Sequence, residues 1–348
     1  MAEFVGKLST QSVGQEGFEL LKLLQRFRGL DLEGILGELD TIISLDYAST
    51  VEGSYPVSGG LPADFSINRS RASALRHRIK HEIIREYRAL DADKVVELYA
   101  PIFDGLFSQL DSSKNVLNVF TTNYDPTIEV FCKRQYREYA FCDGFHYLAA
   151  ERENVWHRNV FDKYEIIPGK RNIVLFKLHG SVDWIQEKDS GKIRQGQPMF
   201  DAMDSDVFSN VLIYPATKKI AVVDPYYTAY EYYQRCCESA RACMAIGYSF
   251  RDYDALMRLR GARSVNEPFR LVLLAPDAEK ILESIPLEES RKTALPFSFG
   301  IESHPKYMLA FRDVAGFDEK VLPRIALSGQ PLKPSEEPSS VKVRPRPG

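Results

Sequence analysis

Apolar residues recur at three- and four-residue spacing from 17 to 47. "GFELLKLLQRF" carries Phe18, Leu21 and Leu24 on one line and Leu20, Leu23 and Phe27 beside it. "DLEGILGELDTIISL" continues with Leu32, Ile35, Leu36, Leu39, Ile42 and Ile43. That period predicts amphipathic helices. The stretch "GSYPVSGGLPADFSIN", with two prolines and three glycines, predicts a loop over 53–68. A second helical block is predicted for about 69–108. There "RSRASALRHRIKHEIIREYRAL" sets Leu75, Ile79 and Ile83 on one side and many arginines on the other. Such a basic side reads first as a solvated helix face, and second as a subunit or partner interface.

From 115 the pattern changes to short apolar runs: "NVLNVFTTNYD", "RNIVLFKLHGS", "NVLIYPAT", "ACMAIGYSF" and "FRLVLLAPD". They are rich in Val, Ile and Leu and mostly separated by helical segments. This is the pattern of a parallel sheet covered on both faces by helices, so the expected class is α/β with a Rossmann-like sheet and a helical part. The final stretch, "SGQPLKPSEEPSSVKVRPRPG", is rich in Pro and Ser with little to bury, and predicts a disordered tail over 329–348.

Composition narrows the class. A chain of 348 residues with 44% hydrophobic content can fill one large or two ordinary domains. The net charge of −3 provides no global basic field, so direct nucleic-acid binding is not expected. No apolar run reaches the length of a membrane span, and "MAEFVGKLSTQ" lacks the pattern of a signal peptide. The five cysteines, Cys132, Cys142, Cys236, Cys237 and Cys243, form no C-x-x-C pair. They read as reduced thiols in a cytoplasm, with no zinc expected.

The chemistry collects at strand ends, where open parallel sheets bind ligands. The first run delivers Thr121, Thr122, Asn123, Tyr124 and Asp125. The second delivers His179, Gly180 and Ser181, the fourth Gly247, Tyr248 and Ser249, and the fifth Pro276 and Asp277. Each has a plain structural alternative. Asn123 or Asp125 could cap a helix beginning near Pro126, Ser249 could cap one beginning near Asp252, and His179 could be a core histidine at a strand end. Trp184 reads as a packing residue. Asp183 is open between a turn residue and one that orients a neighbour.

Taken in order, T-T-N-Y-D, K-L-H-G-S and G-Y-S-F-R-D resemble the sirtuin-like family, and more closely its bacterial anti-phage defence branch. "DPTIEVFC", "VDW" and "LIYPATKK" add to that likeness. The resemblance spans roughly 17–300 and implies one sirtuin-like domain over 1–328, largely helical to about 110 and Rossmann-like over 111–328. It implies NAD+ as a substrate that is hydrolysed to nicotinamide and ADP-ribose. By the same resemblance Asn123 and His179 are the catalytic residues, with Asp125, Gly247 and Ser249 around the ribose and phosphates. Thr122, Tyr124, Gly180, Ser181 and Asp277 are expected to line the substrate with them. It also implies a cytoplasmic effector that depletes NAD+, gated by homo-oligomerisation or by a partner such as a translocase-type ATPase or an Argonaute-type protein.

The residue types suit that reaction. Breaking the bond between nicotinamide and ribose develops oxocarbenium character. A neutral amide orients water or the carboxamide without adding charge, and an imidazole takes a proton near neutral pH. Two features depart from the family. The two C-x-x-C pairs of the sirtuin deacylases are absent, which favours hydrolysis or simple binding over deacylation. Where the family has a glycine-rich G-A-G-x-S loop for the pyrophosphate, the nearest match is Val5-Gly6-Lys7-Leu8-Ser9. The alternative is therefore a catalytically impaired sirtuin-like module that binds a nucleotide or scaffolds an assembly.

Overall fold

The computed structural model describes residues 32–44, 69–88, 90–108, 116–149, 152–187, 189–196, 208–212, 224–240, 242–250, 252–265, 269–275, 277–285 and 292–296. It also describes the short pieces 13–15, 17–19, 21–22, 55–56, 66–67, 110 and 287. The glycine-loop match at Val5 to Ser9, most of "LIYPATKK", Pro276 and the tail from 329 lie outside the described residues.

Among the elements whose bounds are described, three helices come first: α1 (Leu32–Ser44), α2 (Arg69–Arg88) and α3 (Ala92–Ser108). Between α1 and α2, a short antiparallel pair joins β1 (Tyr55–Pro56) and β2 (Ser66–Ile67). The expected stripe of α2 is buried: Leu75, Ile79 and Ile83, joined by Ala72, are enclosed together with Ile35, Leu36 and Leu39 of α1. The basic side of α2 is only in part the solvated face that its composition suggests: Arg71, Arg78 and Arg85 are exposed, whereas Arg76 and Arg88 are half-buried. Arg76 pairs with Asp40 of α1, Arg78 donates to the Val13 carbonyl, and Arg88 reaches Asp183 at 3.2 Å. Lys80 and Glu82 are themselves buried. Long basic side chains bury their stems while their heads find fixed acceptors, so part of this face is tied to neighbouring elements.

The first parallel sheet has the order β3 (Val116–Thr121), β7 (Arg171–Lys177), β4 (Tyr139–Cys142), with β7 in the centre. Alternate side chains of β7 feed two cores, as the pleat requires. Ile173 joins Tyr99, Phe103 and Phe107 of α3 and Phe131 of α4 (Thr127–Arg134). Val174 and Phe176 face the other core, where Phe176 stacks on Phe120 at 4.9 Å and on Phe161 at 4.5 Å. Phe161 belongs to a short helix, α5 (Asn159–Asp162).

Beyond a two-residue turn at Leu178 and His179 the chain re-enters an antiparallel sheet. Its order is β10 (Phe208–Leu212), β8 (Gly180–Glu187), β9 (Ile193–Gln195), β6 (Glu153–Trp156), β5 (Phe145–Leu148). The third apolar run, expected in the parallel sheet, is therefore β10, paired antiparallel to β8. Its composition matches a parallel strand, but its only described neighbour runs the other way. Helix α6 (Tyr226–Ser239) leads to a second parallel sheet, β11 (Ala242–Ile246), β12 (Arg270–Ala275) and β13 (Lys292–Pro296), with β12 in the centre. Helices α7 (Tyr253–Val265) and α8 (Ala278–Glu283) connect its strands. Val174 and Phe176 of β7 share one hydrophobic core with Ala245 of β11, Leu271 and Leu273 of β12, and Ala229 and Tyr233 of α6. The expected α/β class with parallel strands and flanking helices holds; among the described residues the parallel strands form two three-stranded sheets.

Candidate active site

The polar ends of β3 and β7 are stitched together by the backbone. The Leu178 N–H donates to the Thr121 carbonyl at 2.8 Å, and the Val182 N–H donates to the Tyr124 carbonyl at 2.9 Å. Gly180 sits at φ +82°, a conformation that favours glycine, and lets the chain turn from β7 into β8 directly after His179. His179 is consequently fixed at the turn, 4% exposed, with its ring centroid 6.4 Å from that of Tyr124.

The third motif comes to the same place. After β11, Gly247 at φ +62° and Phe250 at φ +55° redirect the chain, and Asp252 enters beside the histidine. His179 Nε2 lies 2.8 Å from Asp252 Oδ2. Tyr230 of α6 donates its hydroxyl to the same oxygen at 2.5 Å, and that hydroxyl lies 3.4 Å from His179 Nε2. Asp252 Oδ1 accepts the N–H groups of Asp254 and Ala255, so the carboxylate also caps α7. Burial raises the Asp252 carboxyl, but the hydrogen bonds from His179 and Tyr230 outweigh it and hold the group below its ordinary range. Burial, then the charge of Asp252, pushes the Tyr230 hydroxyl far up, so it stays protonated and donates.

A second network backs the turn. Lys177 is almost fully buried and reaches Glu129 at 3.1 Å, Ser181 Oγ at 3.1 Å and the Asp125 carbonyl. Ser181 Oγ in turn donates to the Tyr124 carbonyl at 3.3 Å. Burial lifts the Glu129 carboxyl to about 7 against the attraction of Lys177, and burial likewise lifts Asp143 to about 6. A cavity of about 840 Å³ lined by Arg88, Glu129, Lys133, Asp143 and Asp183 opens here; His179 is not among its lining residues.

The expected site residues thus separate into distinct settings. Asn123 is half-buried; its backbone N–H donates to Thr121 Oγ1, and its side chain makes no hydrogen bond to a described residue. Asp125, not Asn123, serves the start of α4: it is buried, and its Oδ1 accepts the Thr127 N–H at 3.0 Å and the Thr127 hydroxyl. Tyr124 and Ser181 are buried, and Thr122 is half-buried. Gly247, Ser249 and Asp277 are exposed at the ends of β11 and β12, and a Cβ added to Gly247 would meet open space. Asp252, not Ser249, caps α7. Asp183 orients a neighbour, accepting from Arg88, and Trp184 packs against Phe145.

Sequence reading passed over Asp252, Tyr230, Lys177 and Glu129. Asp252 stood inside the quoted G-Y-S-F-R-D, and Lys177 was the one charge interrupting an apolar run. Among the described residues no group of three or more His, Cys, Asp or Glu side chains is arranged to hold a metal ion, and all five cysteines are free. No helix among the described residues is long and apolar enough to cross a membrane.

The family model described as the SIR2-like domain matches 117–294, just over half of the chain. Among solved structures, a mutant Sir2 homologue in complex with 2'-O-acetyl ADP ribose is similar over 76% of this chain and 80% of that one. The identity is 12% and the TM-score 0.36. No curated protein matches the chain.

Proposed function

The chain belongs to the SIR2-like family, and from that premise we propose that it hydrolyses NAD+ to nicotinamide and ADP-ribose. The observation that carries the reading is the meeting of all three motifs at His179. The ring lies beside Tyr124 of the first, is presented by the turn of the second and is hydrogen-bonded to Asp252 of the third. Close by in sequence to Tyr124, Asn123 has an amide that no described residue engages.

In this reaction water attacks the anomeric carbon of the nicotinamide ribose while the bond to the pyridinium nitrogen breaks. The electron pair of that bond stays with nicotinamide, which leaves neutral. His179 takes the proton that the attacking water loses, directly or through a ribose hydroxyl. Asn123 orients the water or the carboxamide. The exposed Gly247, Ser249 and Asp277 offer a rim for the rest of the dinucleotide, with Thr122 and Gly180 toward the ribose. Asp125 and Ser181 act by holding the turns. Free hydrolysis of NAD+ would harm the host, so the proposal extends to an anti-phage effector whose turnover is switched on by self-association or by a partner of the ATPase or Argonaute type.

The test is nicotinamide release from NAD+ by the purified chain, alone and after forced self-association or mixing with candidate partners. Asn123→Ala and His179→Ala are each expected to reduce release by about 10²-fold or more. Release that survives both substitutions would sink the assignment. NAD+ binding without release under every condition would favour the nucleotide-binding module instead.

A further inference from the structure

We propose that Asp252 and Tyr230 are positioning residues that hold His179 as the Nε2–H tautomer, leaving Nδ1 as the atom that accepts the reaction's proton. The catalytic half of this statement rests on the hydrolase reading above; the tautomer half does not.

The argument begins with the acceptors. An ionised carboxylate only accepts hydrogen bonds, so the 2.8 Å contact requires the proton to sit on His179 Nε2. Both oxygens of Asp252 are committed, Oδ1 to the Asp254 and Ala255 N–H groups and Oδ2 to His179 and Tyr230. The helix N-terminus favours the negative charge. Tyr230 is protonated and spends its one hydrogen on Oδ2 at 2.5 Å, so its hydroxyl does not donate to Nε2 at 3.4 Å. The ring of Tyr230 is held in turn by the Arg258 guanidinium, 4.6 Å from its centroid. In the neutral ring a hydrogen on Nε2 leaves the lone pair on Nδ1, and no described residue donates a hydrogen bond to that atom. The clamp is drawn from three separate places, the turn after β7, helix α6 and the start of α7.

The decisive measurement is the long-range proton–nitrogen spectrum of the full chain labelled with ¹⁵N-histidine. His179 is assigned by the signal lost in His179→Gln, among six histidines. Wild type is expected to show the Nε2–H tautomer. Asp252→Asn retains an oxygen to cap α7 but turns an amide donor toward Nε2, and is expected to move the hydrogen to Nδ1. Nicotinamide release should then fall by about 10²–10⁴-fold in kcat with the NAD+ dissociation constant unchanged. Tyr230→Phe, which leaves the His179 bond in place, should keep the Nε2–H tautomer. A wild-type Nδ1–H tautomer overturns the proposal, and this reading needs no variant to fold. A tautomer switch in Asp252→Asn with undiminished kcat also overturns it, because the contact would then be structural alone. If wild type releases no nicotinamide under any condition, the hydrolase reading fails, while the spectrum still decides whether Asp252 sets the tautomer.

Discussion

Replacing Glu129 with glutamine tests whether burial or the neighbouring lysine governs the network behind the histidine. Glu129 lies 3.1 Å from the buried Lys177, and its Oε2 is enclosed without a partner. Burial wins over the lysine and lifts the carboxyl from 4.5 to about 7. A raised folded-state value means that the native protein binds more protons than the unfolded chain between those limits. The stability this contributes is present below 4.5 and is lost as pH rises through 7. At about 1.36 kcal/mol per pH unit, the loss amounts to about 3 kcal/mol by pH 8. Glutamine mimics the protonated acid and does not titrate. Asp143, also raised, is common to both proteins and cancels to first order. Glu129→Gln should therefore match wild type within about 1 kcal/mol at pH 5 and exceed it by about 3 kcal/mol at pH 8. Urea unfolding followed by the fluorescence of Trp156 and Trp184 reads both values. If the ion pair dominated instead, the substitution would destabilise the protein at pH 8, and the reversed sign would refute the reasoning.

Three further outcomes are expected. Phe176→Ala should cost about 3–5 kcal/mol in urea unfolding, since the ring is 1% exposed and stacked on Phe120, Phe161 and Tyr232; a loss under 1 kcal/mol would mean the joint between the two cores is looser than it looks. Gly144→Ala should be more damaging than Gly247→Ala in thermal melts. Both have positive φ, at a cost of about 1–2 kcal/mol, but a Cβ at Gly144 would meet Phe161 and Trp156 at 2.6 Å, whereas one at Gly247 meets nothing. Asn123→Ala should leave the urea midpoint within about 0.5 kcal/mol of wild type, as expected where no described contact is lost; a large destabilisation would recast Asn123 as a structural residue.

Periodicity alone located α2, α3 and the four runs that became β3, β7, β11 and β12, because each buries a stripe or a strand that leaves its spacing in the chain. The same apolar runs placed His179, Asn123 and the glycine turns at strand ends, and the order of the motifs carried the family resemblance. The sequence left β4, β5, β6, β8, β9 and β13 unannounced: several are only three to five residues long and mix polar with apolar positions. Strand direction was equally hidden, since β10 has the composition of its parallel counterparts and a different neighbour. The partner of His179 could not be read either. Asp252 lies 73 residues away and looks locally like any helix cap, which it also is. Local composition decides what a segment can become. Only the packing of the parallel strands and helices around one core decided that a tyrosine and a strand-end histidine would share one oxygen of a carboxylate whose other oxygen caps a helix.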